Sequence, residues 1–186
     1  MVLARQAAAG NGLATGRLLR MLTPRLGSIV RAIMGAGHPD RDDALQVTLI
    51  GFVQALPSFR GECDPAGYAA TIAVRTAVAA RKRARVRGSR EEMTPIEPAD
   101  PTASPGQQAE ARRQQEILRD LLAAIPTEQG ETLAMRVVLG WSLEEIAAHM
   151  RVPVNTVRSR LRLAKEAMRR RIEADADLVE ALAVKP

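Results

Sequence analysis

The side chains best suited to chemistry lie near the C-terminus, on a stretch with a helical repeat. Val157, Leu161 and Ala164 recur at helical spacing and would face a core. The opposite arc carries Asn155, Arg158, Ser159 and Arg162, and the same stretch also holds Thr156, Arg160 and Lys165. Arginine can donate a forked pair of hydrogen bonds to guanine, and asparagine can bond adenine. We therefore expect this arc to contact nucleic acid, with Arg160, nearer the buried flank, on a phosphate.

A second helix is predicted just before this one, and the two are separated by a tight turn. Ser142 can cap the earlier helix while Glu145, three residues later, reaches back to its amide. An apolar stripe follows from Leu143 to Met150, and Pro153 stops the helix. The pattern is typical of a helix-turn-helix that places its second helix in a major groove.

A capped helix, a turn and an amphipathic helix also occur in ordinary helical bundles. The charge favours DNA, because residues 151–171 contain eight basic side chains and one acid, Glu166. A merely solvated helix face would usually mix its signs. The whole chain of 186 residues has a formal charge of +6, which also favours a polyanionic partner.

The sequence gives little support to other classes of protein. No apolar run reaches the ~18 residues of a spanning helix, and no secretory signal precedes the first helix, so we place the chain in the cytoplasm without membrane insertion. The single cysteine, Cys63, allows no internal disulfide, and with only two histidines a metal site is not expected. Without a phosphate loop or a nucleophile and base pair, we expect neither a cofactor nor an enzyme.

The segments that position these side chains are predicted to be helices. Residues 1–17 are expected to be disordered, and residues 18–87 to form one small helical domain. Its helices are predicted over 18–34, 40–56 and 66–87, and the last of these ends in a strongly cationic run.

A proline-rich break separates this domain from the helix-turn-helix. Residues 88–114 contain four prolines and no sustained period, and residues 89–111 carry a net charge of −4. The predicted fold is all-α, with two small helical domains joined by a flexible, Pro-rich, acidic linker. The C-terminal domain, residues 115–174, holds the helix-turn-helix, and residues 175–186 form a tail.

Taken together, these motifs resemble the sigma-70 family of bacterial transcription initiation factors, in its small two-domain extracytoplasmic-function group. In the C-terminal half the similarity is carried by Ile125-Pro126, by the run from Gly140 to Ala147 and by the run from Val152 to Leu161. In the N-terminal half it is carried by the runs Asp40 to Thr48 and Leu56 to Glu62. The resemblance implies a subunit without catalytic activity that binds core RNA polymerase and recognises promoter DNA.

The resemblance also implies three surfaces. The helix that follows Asp40 would bind polymerase through Asp42, Asp43, Gln46 and Gln54. The second helix of the helix-turn-helix would read the minus-thirty-five element through the seven polar residues named above. The third N-terminal helix and the loop before it would contact the minus-ten element, on bases or phosphates, through Arg60, Arg75, Thr76, Arg81, Lys82, Arg83 and Arg85.

At several positions where family members often have a larger or polar residue, this third helix has Tyr68 or an alanine. Arg75 and Thr76 are therefore its polar candidates for base contact. An anti-sigma protein is a further partner that the family suggests.

The alternative function is a free-standing helix-turn-helix regulator that binds operator DNA as a dimer. Such a dimer would read paired half-sites about one helical turn apart.

Overall fold

The computed structural model describes residues 2–59, 61, 64–88 and 105–182, without the side chains of Pro105, Gln107 and Gln108. Arg60 and Cys63, singled out from the sequence, lie outside the described residues. Within the described part of the chain, every regular element is a helix. The prediction of an all-α fold with two helical regions is confirmed.

The N-terminal region contains three long helices that pack on one another. They are α2 (Gly12–Met34), α3 (Arg41–Ala55) and α4 (Pro65–Val86), with a 3-10 turn over Leu56–Ser58 between the last two. Asp64 begins α4 by accepting a hydrogen bond from the Gly67 amide at 3.2 Å, and Pro65 takes the first helical position. Phe52 lies at the centre of the region with no exposed surface.

The N-terminus is helical, which differs from the disorder expected over residues 1–17. A short helix α1 (Val2–Ala8) precedes α2, and α2 begins at Gly12 because the Asn11 side chain accepts a hydrogen bond from the Ala14 amide at 3.0 Å. Ala4 and Ala7 are buried, so α1 is held by packing against α2. Alanine carries little hydrophobic signal, and this hid the segment from a periodicity analysis.

The C-terminal region contains four helices, the last two of which form the helix-turn-helix, and one short helix after them. They are α5 (Pro105–Ala124), α6 (Thr127–Val138), α7 (Leu143–Met150), α8 (Val154–Glu173) and α9 (Ala176–Leu182). Pro126 separates α5 from α6, and Pro153 lies at the start of α8. Both prolines interrupt the chain where the sequence predicted, because proline cannot continue a preceding helix.

Two segments expected to be irregular are helical in the structure. The predicted linker extended to residue 114, but α5 begins at Pro105. Residues 105–114 are therefore the first ten residues of a helix that was predicted to begin later. The predicted tail from residue 175 contains α9, in which Ala181 is buried. In the tail, α9 packs against α5 and α8, and the local composition does not reveal this packing.

The two regions share one apolar core. A single cluster of buried side chains includes Phe52, Val74 and Val78 of the N-terminal region together with Met135 and Ile146 of the C-terminal region. Helix α4 contacts α5, α6 and α7. The two regions therefore pack directly against each other in this structure, with α4 at the boundary.

Candidate nucleic-acid interfaces

Hydrogen bonds fix the start of α7, the first helix of the helix-turn-helix. The Glu145 amide donates to the Ser142 hydroxyl at 3.1 Å, and the Ser142 amide donates to the Glu145 carboxylate at 2.7 Å. This is the reciprocal capping box that the sequence predicted. Arg151 then takes a left-handed conformation, with φ of 56°, and closes the turn into α8.

Helix α8 buries one face and leaves the opposite arc open. Val157 and Ala164 have no exposed surface and fix the orientation of the helix. Of the seven predicted contact residues, Thr156 and Arg160 are half-buried, and the other five are exposed, namely Asn155, Arg158, Ser159, Arg162 and Lys165. The structure therefore brings the proposed reading residues together on one accessible surface, which we call the α8 face.

Hydrogen bonds restrain several cations of the α8 face. The Arg158 guanidinium donates to the Asn155 side-chain oxygen at 2.7 Å, so the two residues best suited to base contacts lie side by side. Glu166 accepts from Arg162 at 3.4 Å and from Arg170 at 2.9 Å. An arginine held in one orientation loses less side-chain entropy when it binds, and this favours specific contacts.

Arg160 lies at the edge of this surface, where Glu128 at the start of α6 accepts a hydrogen bond from it. Its side chain is 18% exposed, and that of Glu128 is 71% exposed. The guanidinium is thereby anchored on the protein and turned away from the centre of the arc. This position agrees with a contact to phosphate at the edge of the groove and not to a base.

His149 lies between the two regions. Its ring stacks on Trp141, with centroids 4.2 Å apart and planes at 19°. Burial lowers the pKa of His149, and this outweighs the nearby Asp64 and Glu145, which favour the protonated form. Gly67 of α4 packs against the same ring, because a Cβ atom there would lie 2.6 Å from Cε1 of His149.

The cationic half of α4, Arg75 to Arg85, was predicted to be a phosphate-binding surface, and only part of it is accessible. Arg83 and Arg85 are exposed. Arg81 is buried, with a side chain 5% exposed that donates to Glu116, Asp120 and the Met34 carbonyl. Arg81, which was predicted to contact DNA, is therefore not accessible in this arrangement, because two carboxylates of α5 pair with its guanidinium.

Other polar residues of the same surface also have partners in the C-terminal region. The Lys82 ammonium donates to the Thr127 hydroxyl at 3.1 Å, and Thr76 is half-buried. Arg75 lies 3.6 Å from Glu131 of α6. Burial raises the pKa of Glu131 and outweighs Arg75, which lowers it. Carboxyl and hydroxyl groups of α5 and α6 thus pair with three of the side chains that were predicted to contact DNA.

The aromatic residues near the start of α4 pack together. Phe59 and Tyr68 have centroids 5.5 Å apart, and Tyr68 and Phe52 have centroids 6.4 Å apart. Phe59 therefore packs against the apolar cluster. Tyr68 is half-buried and lies at the edge of the same group.

Helix α3 presents a mixed surface that the sequence predicted only in part. Asp42, Asp43, Gln46 and Gln54 are all exposed. Between them lie three exposed apolar side chains, Val47 at 53%, Ile50 at 49% and Val53 at 38%. Periodicity does not separate the core face of α3 from its outer face, because the apolar residues are spread around the helix.

The described residues offer no group of three or more His, Cys, Asp or Glu side chains placed to hold a metal ion. Among the helices of the described ranges, none has the length and apolar character needed to span a bilayer.

Comparisons with known proteins match both regions. Residues 18–87 match the family model for sigma-70 region 2, and residues 115–168 match the model for sigma-70 region 4. No curated protein matches the chain.

Two solved structures have a similar fold. The first is the complex of CnrH with the cytosolic domain of CnrY, with a TM-score of 0.58 and 22% identity over 94% of this chain and 97% of the other. The second is the sigma factor RpoE of Bartonella quintana with the anti-sigma factor NepR, with a TM-score of 0.54 and 21% identity over 86% of this chain and 97% of the other.

Proposed function

The chain belongs to the sigma-70 family, and from that premise we propose how its surfaces divide the work of promoter recognition. It is a promoter-specificity subunit that binds core RNA polymerase and directs initiation on promoter DNA. The observation that supports this division of roles is the α8 face, where five polar residues are exposed on a helix whose opposite side is buried at Val157 and Ala164.

We assign recognition of the minus-thirty-five element to the α8 face. Arg158 and Arg162 have the forked donors that suit guanine, and Asn155 has the amide that suits adenine. The hydrogen bond between Arg158 and Asn155 supports their acting as one unit. Ser159 and Thr156 contact base edges or the backbone, while Arg160 and Lys165 contact phosphate.

We assign the minus-ten region to α4 and the loop before it. Arg83 and Arg85 are already exposed and suit the DNA backbone. Arg75 is also exposed, although it lies 3.6 Å from Glu131 of α6. Thr76, Arg81 and Lys82 would join them only after α5 and α6 move away. Arg60, which precedes α4 in the sequence, is a further candidate for this surface. Tyr68, at the edge of the aromatic group, is the nearest ring on which an unstacked base can lie.

We assign polymerase binding to the outer face of α3. Its acids Asp42 and Asp43 suit a cationic partner, and Gln46 and Gln54 can form hydrogen bonds at the rim. Exposed Val47, Ile50 and Val53 lie among them and add apolar area that a partner would bury. A centre of apolar side chains within a polar rim is the usual composition of a protein interface.

The remaining roles follow from the family. We propose that the chain acts in the cytoplasm, where its polymerase lies, and that it has no enzymatic activity of its own. One of the similar structures is a sigma factor in complex with an anti-sigma factor. We therefore propose that this chain also has an anti-sigma partner.

Footprinting with and without core polymerase tests this function. With core present, we expect protection of two unlike elements at one promoter, and replacement of Arg158 with alanine should remove protection of the upstream element. The same chain without core should give little protection. Paired, symmetric half-sites protected by the chain alone would instead establish the operator-binding dimer, which the presence of both sigma-70 regions does not favour.

A further inference from the structure

Helix α1 lies outside the part of the chain that matches the sigma-70 models. The region 2 match begins at residue 18, whereas α1 covers Val2–Ala8. A helix of seven residues is not stable in water by itself, so α1 depends on the side chains that it buries. Ala4 is 1% exposed and Ala7 is 5% exposed, and both belong to the central apolar cluster. Helix α1 is therefore a packed element that the family match does not include.

The turn after α1 directs this helix back along α2. The Gly10 amide donates a hydrogen bond to the Ala7 carbonyl at 3.0 Å. Gly10 has a φ of 88°, in the left-handed region that glycine often adopts at the end of a helix. The Asn11 side chain then caps α2 by accepting from the Ala14 amide. Local hydrogen bonds therefore hold α1 and α2 together as a hairpin.

In this hairpin α1 also contacts the 3-10 turn over Leu56–Ser58, which follows α3. Leu56 is buried in the same apolar cluster as Ala4 and Ala7. The carbonyl of Leu56 accepts a hydrogen bond from the Phe59 amide at 3.0 Å. The turn that α1 contacts is therefore joined directly to Phe59.

Phe59 is in turn a neighbour of Tyr68, the ring to which the proposed function assigns an unstacked base. The two rings have centroids 5.5 Å apart and are tilted by 42°. Tyr68 also contacts Phe52, which is completely buried. Tyr68 therefore has one neighbour fixed in the core and one that follows the 3-10 turn.

We propose that α1 positions the ring that captures the base. It holds the 3-10 turn in place, so that Phe59 orients Tyr68 for stacking. The inference rests on the proposed function, which assigns the base to Tyr68. Stacking depends on the relative orientation of the two ring systems. When α1 is detached, the 3-10 turn and Phe59 lose a support, and Tyr68 loses its fixed orientation. Ala4 and Ala7 are thus positioning residues that act through the turn.

Detachment of α1 tests the structural link. Ala4→Glu with Ala7→Glu places two carboxylates at buried positions, which should release α1 from the cluster. Tyr68 is the single tyrosine of the chain, so biosynthetic fluorotyrosine gives one fluorine resonance in an NMR spectrum. That resonance should move in the double variant and in a chain that lacks residues 2–10. An unchanged resonance in both proteins would overturn the proposal.

The matched control adds the same two charges at exposed positions of the same helix. It is Val2→Glu with Gln6→Glu, in which Val2 is 72% exposed and Gln6 is also exposed. This control should leave the fluorine resonance and promoter opening as they are in wild type. In every variant, core polymerase binding and protection of the upstream element should be retained, because neither the outer face of α3 nor the α8 face includes α1.

Promoter opening by the reconstituted holoenzyme tests the functional consequence. Loss of stacking on an aromatic ring weakens binding of a base by about fivefold to more than a hundredfold. The detached variant should therefore lower the permanganate reactivity of unpaired thymines by about fivefold or more. Tyr68→Ala should cause a similar loss and should add little to the loss in the detached variant, because both changes remove the same stacking contact. Losses that multiply fully would overturn the proposal.

Failure of the proposed function would give a different result. If Tyr68→Ala opens promoters as well as wild type does, the assignment of the base to Tyr68 is refuted, while a moved resonance still upholds the structural link between α1 and this ring. If Tyr68→Ala impairs opening but the detached variant, with its resonance moved, opens promoters fully, the positioning role of α1 alone is overturned.

Discussion

The two cationic surfaces of this chain, the α8 face and the cationic half of α4, have opposite surroundings. On the α8 face Asn155, Arg158 and Arg162 are exposed. On α4 the central arginine, Arg81, is buried against two acids of α5. Runs of similar charge in the sequence therefore differ in accessibility, and the difference arises from the elements that pack beside them.

The α8 face is accessible as it stands, whereas Arg81 of α4 becomes accessible only after α5 moves away. The acid that pairs with Arg162 on the α8 face, Glu166, lies on the same helix and leaves that arginine at the surface. The acids that meet α4 come from another region and take Arg81 out of solvent. Substitutions on the two surfaces should therefore have different effects on DNA binding and transcription. The largest expected effect comes first.

The largest effect is expected from Arg158→Ala on the α8 face. Removal of a bidentate pair of hydrogen bonds to a base reduces discrimination by about 1–3 kcal/mol. Transcription from a promoter with the correct upstream element should fall accordingly, while a promoter with that base pair changed should be nearly unaffected. Run-off transcription with reconstituted holoenzyme measures both.

Arg169→Ala is the matched control for this experiment, because Arg169 is exposed on the same helix but outside the proposed set. It should weaken both promoters equally and by much less. Equal losses on both promoters for Arg158→Ala would show that Arg158 contacts only phosphate.

A smaller and sequence-independent effect is expected at the accessible end of α4. Arg83→Ala with Arg85→Ala should weaken DNA binding to a similar extent on all sequences. The slope of log affinity against log salt should fall by about 0.9 for each phosphate of duplex DNA that the variant no longer neutralises, and by about 0.7 for each phosphate of a single strand. A salt titration of DNA binding measures this, and an unchanged slope would contradict the assignment.

His149 should make the contact between the regions sensitive to pH. Burial lowers its pKa below the ordinary 6.5, despite Asp64 and Glu145. The unfolded chain therefore binds the proton more readily, and the free energy of unfolding should fall as the pH drops below 6.5 and stay level above it. His149→Gln should flatten this part of the profile in urea titrations, and an identical slope in both proteins would rule out His149 as its source.

The smallest effect is expected from Glu131→Gln in α6. Burial raises the pKa of Glu131, so its charged form opposes folding, and the wild-type free energy of unfolding should decrease as the pH rises above 4.5. Glutamine should remove that decrease and leave stability at neutral pH equal to or slightly above wild type. A clear loss of stability would show that the ion pair with Arg75 outweighs the burial.

Features set by neighbouring residues could be predicted from the sequence. The capping box of Ser142 and Glu145 and the interruptions at Pro126 and Pro153 all lie where expected, since each depends on residues within one turn. The apolar stripe of α8 likewise indicated which side would be exposed, because Val157 and Ala164 follow the helical period.

Features set by distant residues could not be predicted. Glu116 and Asp120, the acids that bury Arg81, lie 35 and 39 residues further along the chain, beyond the reach of any local pattern. Helix α1 depends on buried alanines, and the position of His149 depends on Gly67 in another region. The family resemblance predicted surfaces for DNA binding, but it did not predict that the chain itself covers Arg81.

The most direct test of the central claim is transcription by purified core polymerase on a promoter library, with and without this chain, followed by sequencing of the transcript starts. A promoter-specificity subunit should produce starts that require the chain and share two spaced upstream elements. The absence of new starts, despite DNA binding by the chain alone, would contradict the account and favour the operator-binding regulator.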